Sequence, residues 1–287
     1  MFRSNHTNND GLNSGGEINS INKTNDSFLA DLPAPINRYI YQGRRQLEDV
    51  YNREFDRFSH DQTGQLSQFV LFSNIDEQTF GRDFCERTVS WTSYSASEQL
   101  LLVKMVTDEH AAASEAFNVI LMDAIRPMGV VKTVRLFGNA TLPGKEADKA
   151  YGPRRPPRGY DRSWPTVVLE VAVSEPASKL TSDIRHWFGK SEGKVNIVLK
   201  IRVDRKRPMI TIEKWEMAED RINRTQVVEI SKRKKGDEEI TVSGAPLLIE
   251  FDKLFRRAPE PPMESDIRIG QEGLSELASS VWEEQGF

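Results

Sequence analysis

The sequence predicts an α/β or α+β domain built on a mixed central sheet that is flanked by helices. Apolar residues recur at helical spacing between Ala113 and Ala124. Two apolar runs typical of buried strands follow, Thr166–Val173 and Val195–Val203, and a polar helix-like segment separates them. Strand-like patterns then continue to Glu250. This order of helix, strands, helix and further strands favours a layered arrangement around one sheet.

Composition narrows the class of protein. The chain has 287 residues, of which 38% are hydrophobic and 29% charged, with a net charge of -4. This length is ample for a substantial core, and the mild acidity argues against coating of nucleic acid by the whole surface. One cysteine, Cys85, excludes an intramolecular disulfide and a cysteine-based zinc site. The sequence does not indicate an oligomeric state.

Membrane and secretion signals are not found in the sequence. No apolar run approaches the roughly 20 residues of a membrane span. The N-terminal stretch, MFRSNHTNNDG, lacks the apolar centre of a secretory signal. We therefore expect an intracellular protein, nuclear or cytoplasmic, with no membrane partner.

Three regions are predicted along the chain. Residues 1–35 are rich in Asn and Ser and are expected to be a disordered tail. Residues 36–257 form the predicted domain, with a core at about 100–216. Residues 258–287 are acidic and rich in Pro, and are expected to be a loose tail with a short helix at Gly273–Glu284. That helix would either bind a partner or dock on its own domain.

The predicted elements follow from local patterns of apolar, capping and turn residues. A first helix is predicted over 36–58, and a second helix starts after Thr107 and ends at Pro127 and Gly129. The run Leu100–Val106 is predicted as a strand or as a helix start. A third helix is predicted over 179–188. The remaining strands are predicted at 68–72, 130–137, 147–151, 166–173, 195–203, 209–215, 226–231, 240–242 and 247–250, with a charged turn at 232–239.

Two carboxylates carry the strongest functional signal. Glu170 interrupts the apolar run Thr166–Val173, where an uncompensated charge costs several kcal/mol. Asp148 lies at the end of a neighbouring predicted strand. Paired carboxylates at adjacent strands supply the hard oxygen ligands that Mg²⁺ prefers, and such an ion can activate water against a phosphate. Asp148 and Glu170 are therefore candidate magnesium ligands.

A basic loop separates these two acids in the sequence. Arg154, Arg155, Arg158 and Arg162 lie among Pro and Gly residues between them. Exposed arginines bind nucleic-acid phosphates through a salt-sensitive electrostatic attraction. The loop is a candidate DNA-binding surface, and its ordinary alternative is a solvated linker.

Four segments together resemble a known family: EADK, WPTVVLEVAVSE, SDIRHWF and EGKVNIVLKIRVD. They resemble the Uma-type restriction-endonuclease-like family of the PD-(D/E)xK nuclease superfamily, over roughly residues 100–216. The eukaryotic members that carry this pattern are fungal proteins. The shared features are an acid ending the second core strand (Asp148), a Glu-Val pair in the third (Glu170), Ser174 after it, and a helix that leads into a fourth strand.

The resemblance implies a restriction-endonuclease-like core and a Mg²⁺-dependent enzyme that cleaves DNA. It implies that the first helix can lend a further acidic ligand, for which Glu115 is the candidate. The superfamily's usual lysine lies two residues after the glutamate, and Ala172 stands there in this chain. A count without gaps places Arg185 in the helix position to which the lysine moves in this family. Arginine stabilises phosphate charge but cannot act as a base.

The sequence therefore predicts a metal-dependent DNA nuclease, with a degenerate motif, or a catalytically inactive nuclease-fold module that binds nucleic acid or protein. Each site residue also has an ordinary alternative. Those alternatives are a turn acid for Asp148, an ion pair with Arg185 or Lys200 for Glu170, a solvated helix face for Arg185, and a hydrogen-bonding role at a helix start for His110.

Overall fold

The computed structural model describes residues 17–18, 36–61, 63, 66–84, 91–137, 141–142, 145–173, 177–218, 221–232 and 239–287. Nearly all of the predicted N-terminal tail, most of the predicted charged turn, Cys85 and Ser174 lie outside these residues. The α-helices of the described part are, in chain order, α1 (Arg44–Ser59), α2 (Glu77–Phe84), α3 (Asp108–Ile125), α4 (Ala177–Ser191), α5 (Phe251–Phe255) and α6 (Gln271–Gln285).

The β-strands are, in the same order, β1 (Glu17–Ile18), β2 (Asn37–Ile40), β3 (Phe69–Ser73), β4 (Trp91–Ser95), β5 (Leu100–Lys104), β6 (Val134–Leu136), β7 (Thr141–Leu142), β8 (Lys145–Glu146), β9 (Lys149–Pro153), β10 (Val167–Val173), β11 (Ile197–Val203), β12 (Met209–Ala218), β13 (Arg221–Lys232), β14 (Ile240–Ser243), β15 (Leu247–Ile249) and β16 (Ile267–Ile269). Short 3₁₀ helices at Arg126–Met128 and Val131–Thr133 join α3 to β6.

The sheet that carries Glu170 is mixed and has the strand order β14-β13-β12-β11-β10-β9-β6. Strands β10 and β11 pair in parallel, with Glu170 opposite Lys200, and the other neighbours pair antiparallel. Parallel neighbours need a crossover connection, and α4 supplies it. The mixed sheet predicted from the sequence is confirmed.

Helices cover both faces of this sheet. One face packs on α3 and α6, where side chains such as Phe117, Leu169 and Leu277 form the largest apolar cluster. The other face packs on α4 through a second cluster that includes Val168 and Trp187. Successive residues of a strand point to opposite faces, so both faces of β10 are apolar and its whole length is buried.

A second sheet has apolar clusters of its own. Its order is β1-β2-β3-β5-β4-β8-β7, and α1 packs on one of its faces. Leu100 and Leu102 of β5 belong to a separate small cluster on the other face. Lys104 shares that face by the two-residue period of a strand, and Lys145 lies in β8 of the same sheet.

The prediction of one helix over 36–58 is wrong in its first part. Residues Asn37–Ile40 form β2, which pairs in parallel with β3, and the helix begins only at Arg44. Gly43 separates the two elements with a φ of 118°, a conformation that glycine adopts without the strain other residues would have. The apolar side chains at Tyr39 and Leu47 thus belong to different elements of one core.

The last 30 residues do not form the predicted loose tail. Strand β16 pairs with β15, and α6 buries Leu274, Leu277, Val281 and Trp282 in the main core. The predicted helix at Gly273–Glu284 lies within α6, and of its two alternatives the structure has the one that docks on its own domain. An apolar stripe at helical spacing outweighs the acidic composition of this segment.

The order of elements expected from the resemblance is the order found. Helix α3 precedes β6, β9 and β10, and α4 then leads into β11. The predicted class, a mixed sheet flanked by helices, is therefore confirmed. Among the helices that the structure describes, none combines the length and apolar character of a membrane span.

Candidate functional site

Glu170 lies in the middle of β10 and is 5% exposed. Its neighbours Leu169 and Val171 point toward α3, so Glu170 shares the face of Val168 and points toward α4. The carboxylate of Glu170 is thus buried. The groups that compensate its charge have to approach it on the α4 face of the sheet.

The groups that approach Glu170 are an indole and an ammonium. The Trp187 Nε1–H donates a hydrogen bond of 2.6 Å to Glu170 Oε1. Lys145 Nζ lies 3.5 Å from the same oxygen and 2.8 Å from Asp183 Oδ1. Lys145 is 1% exposed and its ammonium also lies over the Trp187 ring, 5.8 Å from the centroid. Two carboxylates and one ammonium therefore form a buried ion-paired triad beside an aromatic ring.

Helix α4 presents this triad by its periodicity. Asp183 and Trp187 are four residues apart, so they lie one turn apart on the same face, and both are buried. Arg185 lies halfway between them in sequence and is exposed on the opposite face. The gapless count that assigns Arg185 to the phosphate thus selects a residue whose side chain points away from Glu170. The α4 side chain that reaches the glutamate is an uncharged indole.

Burial governs the protonation of this triad. Desolvation raises the pKa of Glu170 to about 7, the charge of Lys145 opposes this shift, and the negative charges of Asp148 and Asp183 add to it. Desolvation lowers the pKa of Lys145, but Asp183 and Glu170 outweigh it and hold the pKa above its usual range. The ammonium is therefore a permanent charge at neutral pH, and Glu170 is the group that titrates.

Asp148 lies immediately before β9, rather than at the end of a strand as expected. Its Oδ2 atom accepts hydrogen bonds from the Val171 backbone N–H at 2.6 Å and from Lys104 Nζ at 3.0 Å. His110 Nε2 lies 3.2 Å from the same oxygen. Lys104 also donates to the Val171 carbonyl oxygen at 2.6 Å. The last residue pair between β9 and β10 is Lys149 with Leu169. Just beyond it, the Asp148 side chain binds the β10 backbone at Val171, next to Glu170.

The electrostatic surroundings of Asp148 favour its charged form. Burial raises its pKa, but the charges of His110 and Lys104 outweigh this effect and hold the pKa far below its usual range. Asp148 and Glu170, joined through Val171, therefore differ in protonation. Asp148 is fully ionised at neutral pH and Glu170 is close to its midpoint.

The lysines and the acids come from different sheets. Lys104 in β5 and Lys145 in β8 belong to the second sheet. Glu170 lies in β10 of the other sheet, Asp148 immediately precedes its strand β9, and Asp183 lies in α4, which packs on that sheet. We name these five residues the acid–lysine cluster. Because each lysine reaches across the sheet interface to an acid, the cluster also joins the two sheets.

The predicted magnesium ligands do not fit a metal ion in this arrangement. Mg²⁺ needs octahedral oxygen ligands at about 2.0–2.1 Å and keeps several waters. Asp148 Oδ2 and Glu170 Oε1 are already approached by lysine, histidine, indole and backbone donors. Among the residues that the structure describes, no group of three or more His, Cys, Asp or Glu side chains is arranged to hold a metal.

The other predicted site residues lie elsewhere. Glu115 forms an ion pair with Lys149, on the α3 face of β9 and away from Glu170. The four arginines of the loop, Arg154, Arg155, Arg158 and Arg162, are exposed. Arg154 follows the last residue of β9 whereas Asp148 precedes the first, so the two are about 20 Å apart at ~3.3 Å per residue. The structure brings Asp148 and Glu170 together, and it separates both from Glu115, Arg185 and the arginine loop.

Three members of the cluster were missed by the sequence argument. Lys104 ends the apolar run Leu100–Lys104, and a charge there needs compensation for the same reason as the charge of Glu170. Asp183 shares a helical face with Trp187, a spacing that the sequence shows. Lys145 lies in a two-residue strand, which is too short to show a pattern that predicts its burial.

Comparisons with known proteins add little to this description. The chain is similar to a protein from Anabaena variabilis ATCC 29413, provisionally assigned as a DUF820 nuclease, with 14% identity over 72% of this chain and 99% of that chain and a TM-score of 0.38. No family model and no curated protein matches the sequence. A likeness this distant carries no argument about the site, and nothing in these comparisons supports the fungal placement.

Proposed function

We propose that this chain is a nuclease-fold module that binds nucleic acid without cleaving it. The observation that carries the proposal is the neutralisation of both carboxylates from within the protein. Lys104 lies 3.0 Å from Asp148, and Lys145 lies 3.5 Å from Glu170. The charge in the apolar strand, which pointed to a metal, therefore has a protein partner.

The balance of charge supports this function. The acid–lysine cluster holds three carboxylates and two ammonium groups, and a divalent cation added to it would make the sum positive in a buried place. Removing water from such an excess charge is strongly unfavourable. The Trp187 indole, in the helix where the family places its lysine, adds no ionisable group near Glu170.

The choice of nucleic acid as partner rests on the arginine loop. Arg154, Arg155 and Arg158 are exposed. Of the residues that the structure describes, none forms an ion pair with these three. Such groups attract phosphates in a salt-dependent way. Their distance from the acid–lysine cluster is consistent with binding that does not deliver a phosphate to it.

The experiment is an incubation of the full chain with supercoiled plasmid and with single-stranded DNA, in Mg²⁺ or in Mn²⁺. We expect no cleavage above that of the Asp148→Ala/Glu170→Ala variant, together with salt-dependent binding of nucleic acid in EDTA. Metal-dependent cleavage by the wild type that disappears in the double variant would overturn the proposal.

A metal-dependent DNA nuclease is the second candidate, favoured by one observation. Lys145 places an ammonium beside Glu170, and an acid pair with a lysine is the grouping that the family resemblance implies for cleavage. Under this alternative, cleavage appears with Mg²⁺ or Mn²⁺ and is lost in Lys145→Met. The matched control is Lys190→Met, which removes an exposed lysine of the same helix that carries Asp183.

A further inference from the structure

A groove lies at the end of β9 that is remote from the acid–lysine cluster. It has a volume of about 510 Å³. Lys132 and Arg154 both line it, and the Arg154 backbone N–H donates to the Thr133 carbonyl oxygen at 2.7 Å, which holds their two chain segments side by side. Arg155 and Arg257 complete the charged lining. We name this cavity the basic groove.

The charge of the basic groove is largely uncompensated. Arg257 forms an ion pair with Glu264, at 2.5 and 2.7 Å. In the described part of the chain, no ion pair involves Lys132, Arg154 or Arg155, and the residues that line the groove include no acid. Three cations without carboxylates around one concavity attract an anionic ligand with several charges.

The walls of the groove also carry apolar and aromatic surface. Pro153 and Phe255 line it, and the Arg257 guanidinium lies 5.9 Å from the centroid of the Phe255 ring. Pro153 also lines a smaller neighbouring cleft that includes Tyr160, which is 47% exposed. Arg256 lies over the Tyr160 ring, 5.0 Å from its centroid. Phe255 is itself buried, so Tyr160 is the ring that is open to a ligand here. An exposed ring beside cations can stack on a base while the cations hold the phosphates.

We propose that the basic groove binds single-stranded nucleic acid, with Lys132, Arg154 and Arg155 on its phosphates and Tyr160 stacked on a base. The proposal rests on the nucleic-acid binding proposed above and names its site and strand state. A concave groove admits one flexible strand, whereas a duplex carries its phosphates on a convex surface and keeps its bases stacked inside. Because the groove is about 20 Å from Asp148 at ~3.3 Å per residue of β9, a strand bound there lies away from the acids.

The test measures fluorescence anisotropy of a 5′-fluorescein-labelled dT12 strand with the full chain, in EDTA, over a series of salt concentrations. We expect Arg154→Ala/Arg155→Ala to weaken binding about ten-fold or more at low salt and to reduce the slope of log K against log[salt] by about 1.4, since each phosphate contact contributes roughly 0.7. Tyr160→Ala should weaken binding about five-fold or more and Tyr160→Phe should restore it, because stacking needs the ring and not the hydroxyl.

The matched control is Arg45→Ala/Arg185→Ala, which removes the same charge from exposed positions on α1 and α4. It should change the affinity by less than about two-fold and leave the salt slope intact. The proposal is overturned if the groove variant binds dT12 as the wild type does, if the control weakens binding equally, or if a matching duplex binds more tightly than dT12. Binding of both dT12 and duplex that persists in the groove variant removes this site but keeps nucleic-acid binding, and metal-dependent cleavage refutes the non-catalytic function alone.

Discussion

Replacing Lys145 by methionine removes the ammonium on which the acid–lysine cluster depends. Methionine keeps most of the side-chain volume, so the change acts mainly on charge. Asp183 at 2.8 Å and Glu170 at 3.5 Å then share a buried place with no cation between them. Breaking a buried pair by removing one partner costs about 3–5 kcal/mol.

Protonation of Glu170 limits this loss. Its pKa is already about 7, and loss of Lys145 raises it further, so the variant keeps Glu170 neutral at pH 7. We therefore expect a loss near 3 kcal/mol, the lower end of the roughly 3–5 kcal/mol range. Above pH 7 the wild-type Glu170 is ionised in the folded state whereas the variant still holds the proton. The gap then widens by up to about 1.4 kcal/mol per pH unit.

The assay is urea denaturation of the wild type and Lys145→Met at pH 7 and pH 8. Asp183→Asn and the double variant complete a thermodynamic cycle, in which the coupling free energy of two contacting residues is about 0.5–3 kcal/mol. Lys190→Met, on the exposed face of α4, should stay within about 0.5 kcal/mol of the wild type. A loss below about 1 kcal/mol in Lys145→Met, with no widening above pH 7, refutes the reasoning that this lysine compensates the acids.

Three further predictions concern the same region. Glu170 has a pKa of about 7 in place of 4.5, so the folded state binds a proton more firmly than the unfolded chain. The free energy of unfolding of the wild type should therefore fall relative to that of Glu170→Gln between about pH 4.5 and pH 7, by up to about 3 kcal/mol, and the two should run parallel above pH 7. Parallel curves over the whole pH range would contradict the shift in pKa. Trp187→Phe removes the N–H that donates to Glu170 and part of a fully buried side chain. Urea denaturation should show a loss of about 2–4 kcal/mol in the free energy of unfolding, and a loss below about 1 kcal/mol would argue against the hydrogen bond. Arg185→Ala should change the stability by less than about 0.5 kcal/mol in the same assay because the side chain is exposed, and a loss near 2 kcal/mol would indicate a partner for its guanidinium.

Much of the fold could be predicted because its signals are local. The run that holds Glu170 reads as a buried strand, and α3 shows its apolar stripe from Ala113 onward. The prediction fails where one local pattern spans two elements. Gly43 divides β2 from α1 within the predicted helix 36–58. After Arg257, the acidic composition predicts a loose tail, whereas the apolar residues at helical spacing form the buried face of α6.

The site was predictable only in part. Glu170 could be predicted as a site residue because it is a charge in an apolar strand. Asp148 could be predicted because it lies at the end of a neighbouring predicted strand. The identity of the compensating charge could not be predicted, since Lys104 and Lys145 come from a different sheet and reach the acids only after the sheets pack. A carboxylate in such a strand signals that some cation is near, and only the fold tells whether that cation is a metal or a lysine.

The most direct test of this account is a calorimetric titration of Mn²⁺ into the full wild-type chain at pH 7.5, with Glu170→Gln and Asp148→Asn as comparisons. We predict no saturable heat of binding in the wild type, because the lysines already neutralise both acids. Binding of an ion at one site per chain that is lost in both variants would contradict the account, and would show that the two acids share a metal after all.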